Sequence, residues 1–192
     1  TAGQGNSGAL YIGSGTATSG RGGAVYVTVG SGNSGAGGEL VLSSGASATE
    51  SGGRLSVVSG VGLMRSGAVL VSSGYNPDQD SGSLTLRTSH AGSSGVSGQL
   101  VLSTGTASKG NAGPLYIGSG SAKSGRGGAV YVTVGSGNSG AGGELVLSAG
   151  TSSSESGGRL SVVSGVGLKT SGALLLRTAN SGSSGVSGQL VL

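Results

Sequence analysis

The stretch Ser19–Ser43, SGRGGAVYVTVGSGNSGAGGELVLS, contains the pattern that decides the fold, and it recurs unchanged at Ser124–Ser148. Branched aliphatic residues recur at every second position, at Val25, Val27 and Val29 and again at Leu40 and Leu42, and Gly and Ser bound each apolar run. Alternation of this kind predicts short strands joined by turns. The Gly density argues against helices, because each interior Gly costs up to about 1 kcal/mol relative to Ala.

The same 15-residue unit repeats along the chain. Each unit begins at a Leu or Val anchor, and seven of the thirteen units follow the pattern [LV]-x-[VIL]-x-[ST]-G; two compensated pairs of 14-residue and 16-residue steps interrupt the period. Self-similarity at a fixed period is typical of repeat architectures. The thirteen anchors are Leu10, Val25, Leu40, Leu55, Val69, Leu84, Leu100, Leu115, Val130, Leu145, Leu160, Leu174 and Leu190.

The units form a single repeat array over residues 1–192, and a longer repeat is superimposed on it. Residues 5–109 correspond to residues 110–192, and the second copy lacks one 15-residue unit, the one around residues 71–85. The chain begins at Thr1 without Met and stops inside the strand-like run Gln189–Leu192. We therefore expect it to be a segment of a longer array.

Short, nearly identical strands joined by Gly-rich arcs predict an all-β fold, a β-solenoid of about thirteen units in which each strand pairs with its equivalent in a neighbouring coil. One 15-residue unit per coil would place Glu39 beside Arg54 and Tyr11 beside Tyr26, which are stabilising neighbours. Two units per coil remain an alternative. We expect the anchors to point inward and the glycines to turn the chain by adopting positive φ.

The composition excludes several classes of protein. The chain has 46 Gly and no Cys, so a disulfide framework cannot hold it together. Its formal charge is +4, but Lys and Arg occur singly and aromatic residues are only 3%, which argues against nucleic-acid binding. A transmembrane helix needs an apolar run of roughly 18 residues or more, and no run in the chain approaches that length. Gly-rich chains without a period are often disordered, but the period here favours an ordered repeat.

No group of residues suggests catalysis, a cofactor or a metal. His90 is the only His, and no acid is predicted beside it to fix its tautomer. Asn76, Asp78 and Asp80 offer oxygen atoms in one loop, but a Ca²⁺ site needs 6–8 ligands. The segment Gly20–Gly23 resembles a phosphate-binding loop in composition only, because no helix is expected after it. We therefore predict that the protein is not an enzyme and holds no metal or cofactor.

The position after each anchor is expected to face outward, and it is often apolar or aromatic. Apolar surface of this kind usually marks an interaction site. It predicts self-association of the chain, either end to end or side by side. The predicted interaction surface consists of Tyr11, Tyr26, Val41, Leu70, Val101, Tyr116, Tyr131 and Val146.

The recurrent unit SGxxGxLxLxSG resembles the Gly/Ser-rich repeat arrays of large secreted surface, cell-wall and adhesive proteins of algae, diatoms in particular, and of some other microbes. The resemblance covers the whole chain. It implies an extracellular or cell-surface location, a structural or adhesive role as a rod or fibre, and cell-surface polysaccharide as a further partner. An ice-binding or glycan-binding solenoid is the alternative, since a flat solenoid face can present a regular array of hydroxyl groups.

Overall fold

A computed structural model describes residues 6–192, so the first residue of the long repeat, at position 5, lies outside the described residues. Within residues 6–192 the backbone forms no helix and no strand, only extended segments separated by turns and bends. The predicted all-β solenoid is therefore wrong for this part of the chain, with either one or two units per coil. No ladder of backbone hydrogen bonds joins one extended segment of this part to the next.

The backbone hydrogen bonds of residues 6–192 close loops instead of joining strands. The Gly23 N–H donates to the Gly15 carbonyl at 3.2 Å, and equivalent bonds join glycines at the two ends of successive arcs. Each bond joins the two end residues of one loop, here called the loop neck, and no second backbone hydrogen bond extends the pairing within the described residues. These closed loops span residues 15–23, 30–38, 45–53, 60–67, 74–82, 120–128, 135–143, 150–158 and 165–172, and narrower turns span 92–95 and 182–185.

The apolar segments do not form a core. No hydrophobic side chain within residues 6–192 is buried, and the anchor Leu40 is 52% exposed. The chain has an accessible surface of 19335 Å². A compact protein of this mass, 17.7 kDa, would expose about 8,000 Å², and its fully extended chain would expose about 26,000 Å². The surface is therefore closer to that of an extended chain, and the predicted inward-facing anchors are a second correction.

The physical reason lies in the composition of the repeat. A solenoid must order every residue of its arcs, and glycine loses more conformational freedom on ordering than any other residue. Each unit offers only a short apolar run to stabilise that order, as in Leu40–Leu42 between Gly38 and Gly45. The loops close locally, whereas stacking of whole coils does not occur within residues 6–192.

Glycine is needed at the loop necks for close approach, not for a left-handed turn. Gly110, with φ of 92°, is the one residue in 6–192 that lies clearly in the left-handed region, which corrects the expected positive φ of the arcs. At Gly23, an added Cβ would lie 2.9 Å from the Ser14 Cβ, closer than real side chains approach. The repeat-related Gly128 has the same relation to Ser119, at 3.0 Å.

The chain divides into two units, Thr1–Leu100 and Val101–Leu192. Within its described residues, the first unit contains the five closed loops from 15–23 to 74–82, followed by the turn 92–95. The second contains the four closed loops from 120–128 to 165–172, followed by the turn 182–185. Between these sets, the arc at residues 105–113 contains the left-handed Gly110 and is followed by Pro114.

Candidate interaction surface

The predicted interaction surface lies on extended segments between the closed loops. Its eight residues are all exposed, and Tyr26, for example, is 87% exposed. The four tyrosines among them form two repeat-related pairs, one unit apart within each pair. The structure leaves these residues accessible to another molecule.

The alternation of the sequence persists as a difference in exposure. Leu40 is 52% exposed and the following Val41 is 68% exposed, and the same order holds wherever a large apolar residue follows the anchor. Because every anchor is at least half exposed, the anchors add apolar surface to their segments instead of forming the expected core. The candidate surface is therefore the whole apolar segment at each repeat, including its anchor. The small number of apolar residues in each unit is the feature of the sequence that indicates exposed anchors.

Hydroxyl and amide side chains stabilise the turns inside several loops. The Ser47 hydroxyl oxygen accepts hydrogen bonds from the N–H groups of Thr49 and Glu50, at 3.4 and 3.0 Å. Ser152 does the same in the second long repeat, for Ser154 and Glu155, at 3.4 and 2.9 Å. Side-chain bonds of this type are the usual use of Ser in turns. They give these serines a local structural role.

The irregular loop that contains Asn76 is a turn held by its own side chain. The Asn76 Oδ1 accepts hydrogen bonds from the N–H groups of Asp78 and Gln79, both at 3.0 Å. That oxygen is therefore already engaged by the backbone. Within residues 6–192 no group of three or more His, Asp or Glu side chains comes together as metal ligands would.

The described part of the chain contains no enclosed binding cavity. No pocket is present among residues 6–192, and His90 lies on an exposed loop. Nor does the described backbone include any helix with the length and apolar character needed to cross a bilayer. Accessible features in this region are thus the apolar segments, the loops and the scattered charges.

Charged residues stand at the necks of two loops in each long repeat. Gly38 closes its loop by donating to Gly30 at 3.1 Å, and Glu39 follows it directly. Gly53 closes the next loop by donating to Gly45 at 2.8 Å, and Arg54 follows. Opposite charges therefore occupy the same place, between neck and anchor, in consecutive units.

No family model, curated protein or solved structure matches the chain. The resemblance to secreted surface and adhesive repeat arrays stays a prediction.

Proposed function

We propose that the chain is an extracellular structural or adhesive repeat protein whose apolar segments associate with those of other copies. The observation that carries this proposal is the exposure of every apolar segment within residues 6–192. Contiguous exposed apolar surface in a protein usually marks an interaction site. Here the surface is divided into short segments and repeated along the chain, which suits a fibre or matrix better than a single binding site.

Self-association is favoured over a different partner because each copy offers the same segment many times. The two identical stretches, Ser19–Ser43 and Ser124–Ser148, are the clearest example. Once one segment has bound its equivalent in another copy, the next contact is intramolecular and therefore takes place at a high effective concentration. Weak contacts between short segments then add up along the array.

The backbone of the extended segments supports the same proposal. Its N–H and C=O groups form no ladder within residues 6–192, and unpaired extended backbone recruits other chains. Association between copies, end to end or side by side, would take the place of stacking within one chain. Cell-surface polysaccharide is proposed as a further partner on the basis of the resemblance. An ice-binding or glycan-binding role depended on a flat solenoid face, and no observation now favours it.

The proposal is tested by placing charge in the apolar segments. In the double variant Val41→Asp with Val146→Asp, one carboxylate is added to each copy of the repeated segment. Burying a Val side chain contributes about 1.5–3 kcal/mol, so its loss should raise the concentration needed for assembly at least about tenfold. Light scattering and electron microscopy measure that concentration and the shape of the assemblies.

A matched control carries the same added charge in the loops. The double variant Ala46→Asp with Thr151→Asp also adds two carboxylates, but at repeat-related loop positions outside the apolar segments. We expect it to assemble nearly as well as the unaltered chain. An unaltered chain that stays monomeric at millimolar concentration would overturn the proposal, as would equal effects of the two double variants.

A further inference from the structure

Opposite charges recur in this chain at a separation of one repeat unit. No two like charges lie one 15-residue unit apart, whereas opposite charges do so three times in the first long repeat and once in the second. Most anchors have the same spacing, and three of the four opposite pairs, all except Glu50 with Arg65, connect equivalent places in consecutive units. The opposite pairs are Glu39 with Arg54, Glu50 with Arg65, Arg65 with Asp80, and Glu144 with Arg159.

Other offsets between two parallel copies give poorer combinations of charge. With no offset, every charged residue lies beside its own equivalent, so each contact is repulsive. With an offset of two units, Glu50 lies beside Asp80 and no opposite pair forms. Like charges side by side are destabilising, and opposite charges at the same place are stabilising. Charge therefore discriminates among these three registers in favour of the offset of one unit.

We infer that two copies associate in parallel with one chain shifted by one 15-residue unit relative to the other. Glu39 of one copy then lies beside Arg54 of the next, and the anchor Leu40 lies beside Leu55. The inference rests on the proposed function, because it specifies the register of that self-association. The occupant of each apolar segment is therefore a second copy of this chain, in a stated alignment.

The structure presents these charges in a way that suits contact between copies. Glu39, Arg54, Glu144 and Arg159 are all exposed. Each directly follows a Gly that closes a loop, and the four closing bonds measure 2.8 to 3.2 Å. Because no ladder joins neighbouring segments within residues 6–192, the backbone beside each charge is available to another copy.

A shift of one unit also explains how assembly would continue. The contact joins different segments of the two copies, so it is heterologous and does not close on itself. Each added copy leaves one unit of the previous copy uncovered, and the next copy can engage it. The expected product is an open fibre or a sheet instead of a closed dimer.

Disulfide cross-linking reads the register directly, since the chain has no Cys of its own. Val41 and Ser56 each directly follow an anchor, and they lie one unit apart. Chains with Val41→Cys are mixed with chains with Ser56→Cys, assembled and then oxidised. A disulfide requires the two Cα atoms to lie within about 7 Å. We expect disulfides between the two kinds of chain and few between two chains with Val41→Cys.

Charge variants test the cause of the register. Reversing Glu39→Arg and Glu144→Arg turns two opposite pairs into like pairs, and we expect the concentration needed for assembly to rise about tenfold. Adding Arg54→Glu and Arg159→Glu restores opposite charges at a spacing of one unit and should restore assembly. The matched control is Asp78→Arg, which reverses a charge that faces no opposite charge at the equivalent place in either neighbouring unit, and it should assemble normally.

The outcomes separate this inference from the proposed function. If the unaltered chain does not associate, both are overturned. If it associates but forms disulfides mainly between two chains with Val41→Cys, the shift of one unit is wrong and the proposed function stands. An equal effect of the Glu39 and Glu144 reversals and of the matched control would also overturn the inference alone.

Discussion

Replacing Gly23 by Ala should open the loop 15–23, because the new Cβ has no room at the loop neck. It would lie 2.9 Å from the Ser14 Cβ, so the neck must widen by several tenths of an ångström or more. Two hydrogen bonds depend on that neck. The Gly23 N–H donates to the Gly15 carbonyl at 3.2 Å, and the Ser14 hydroxyl donates to the Gly23 carbonyl at 2.7 Å.

The expected cost follows from these two bonds. A hydrogen bond contributes about 0.5–1.5 kcal/mol net, so losing both would destabilise the closed loop by about 1–3 kcal/mol. Amide hydrogen exchange measured by NMR reports the opening of the loop at residue 23. We expect exchange there to become at least about fivefold faster. The repeat-related Gly128, left unchanged in the same molecule, provides an internal reference.

Gly22→Ala is the matched control for this change. An added Cβ at Gly22 would lie 3.9 Å from the Gly15 carbonyl oxygen, which is an ordinary contact. Both substitutions restrict the unfolded chain in the same way, so their difference isolates the overlap at the neck. If Gly22→Ala and Gly23→Ala change exchange at residue 23 equally, the close approach of Gly23 to Ser14 is not what requires glycine there.

Three further changes test other parts of the structure. Ser14→Ala removes the hydroxyl that donates to the Gly23 carbonyl, so it should destabilise the loop 15–23 by about 1 kcal/mol. Ser44→Ala should have little effect, because Ser44 only accepts a hydrogen bond, through its backbone carbonyl, from the Ser43 hydroxyl. Amide exchange measures both effects. Deleting residues 71–85 recreates the junction of the second long repeat, so the NMR spectra of the remaining loops should be unchanged; widespread shifts would contradict this. Leu40→Asp should weaken assembly about as much as Val41→Asp does, because neither side chain is buried. For the same reason, neither variant should change the circular dichroism of the monomer. A loss of structure in Leu40→Asp alone would indicate that the anchor faces inward.

The sequence predicts the positions of the loops well and the pairing of the segments badly. Gly and Ser bound each arc, and the closed loops of the structure lie in those arcs, as at residues 45–53. Closing such a loop depends on residues close in sequence. Pairing of consecutive segments depends instead on whether a short apolar run can offset the ordering of a Gly-rich arc. A pattern of alternating residues shows which residues are apolar, but it does not show whether their burial outweighs the entropy cost of ordering the arc.

In the candidate surface too, features that depend on neighbouring residues can be predicted from the sequence, whereas features that depend on packing between units cannot. Val41 and the other outward positions were identified from alternation, and the structure leaves them exposed. An inward-facing anchor such as Leu40 follows only if the coils stack as a solenoid, so the 52% exposure of Leu40 cannot be predicted from alternation alone. Similarly, alternation cannot show that Gly23 is required for its approach to Ser14, since that contact arises only when the loop closes.

Loop closure and apolar exposure together favour contact between copies over contact within one chain. Each closed loop draws its two ends together at one glycine pair, as in Gly38 with Gly30, and the next apolar segment begins two residues later. Part of the conformational entropy of the arc is therefore lost before any second copy arrives, which lowers the cost of ordering that segment on binding. Each loop neck lowers the entropy cost of binding by a similar small amount, and an apolar segment recurs in every unit. The free energy of association therefore becomes more favourable as two copies align more units. A long array of individually weak segments can then assemble firmly although no single unit forms a core.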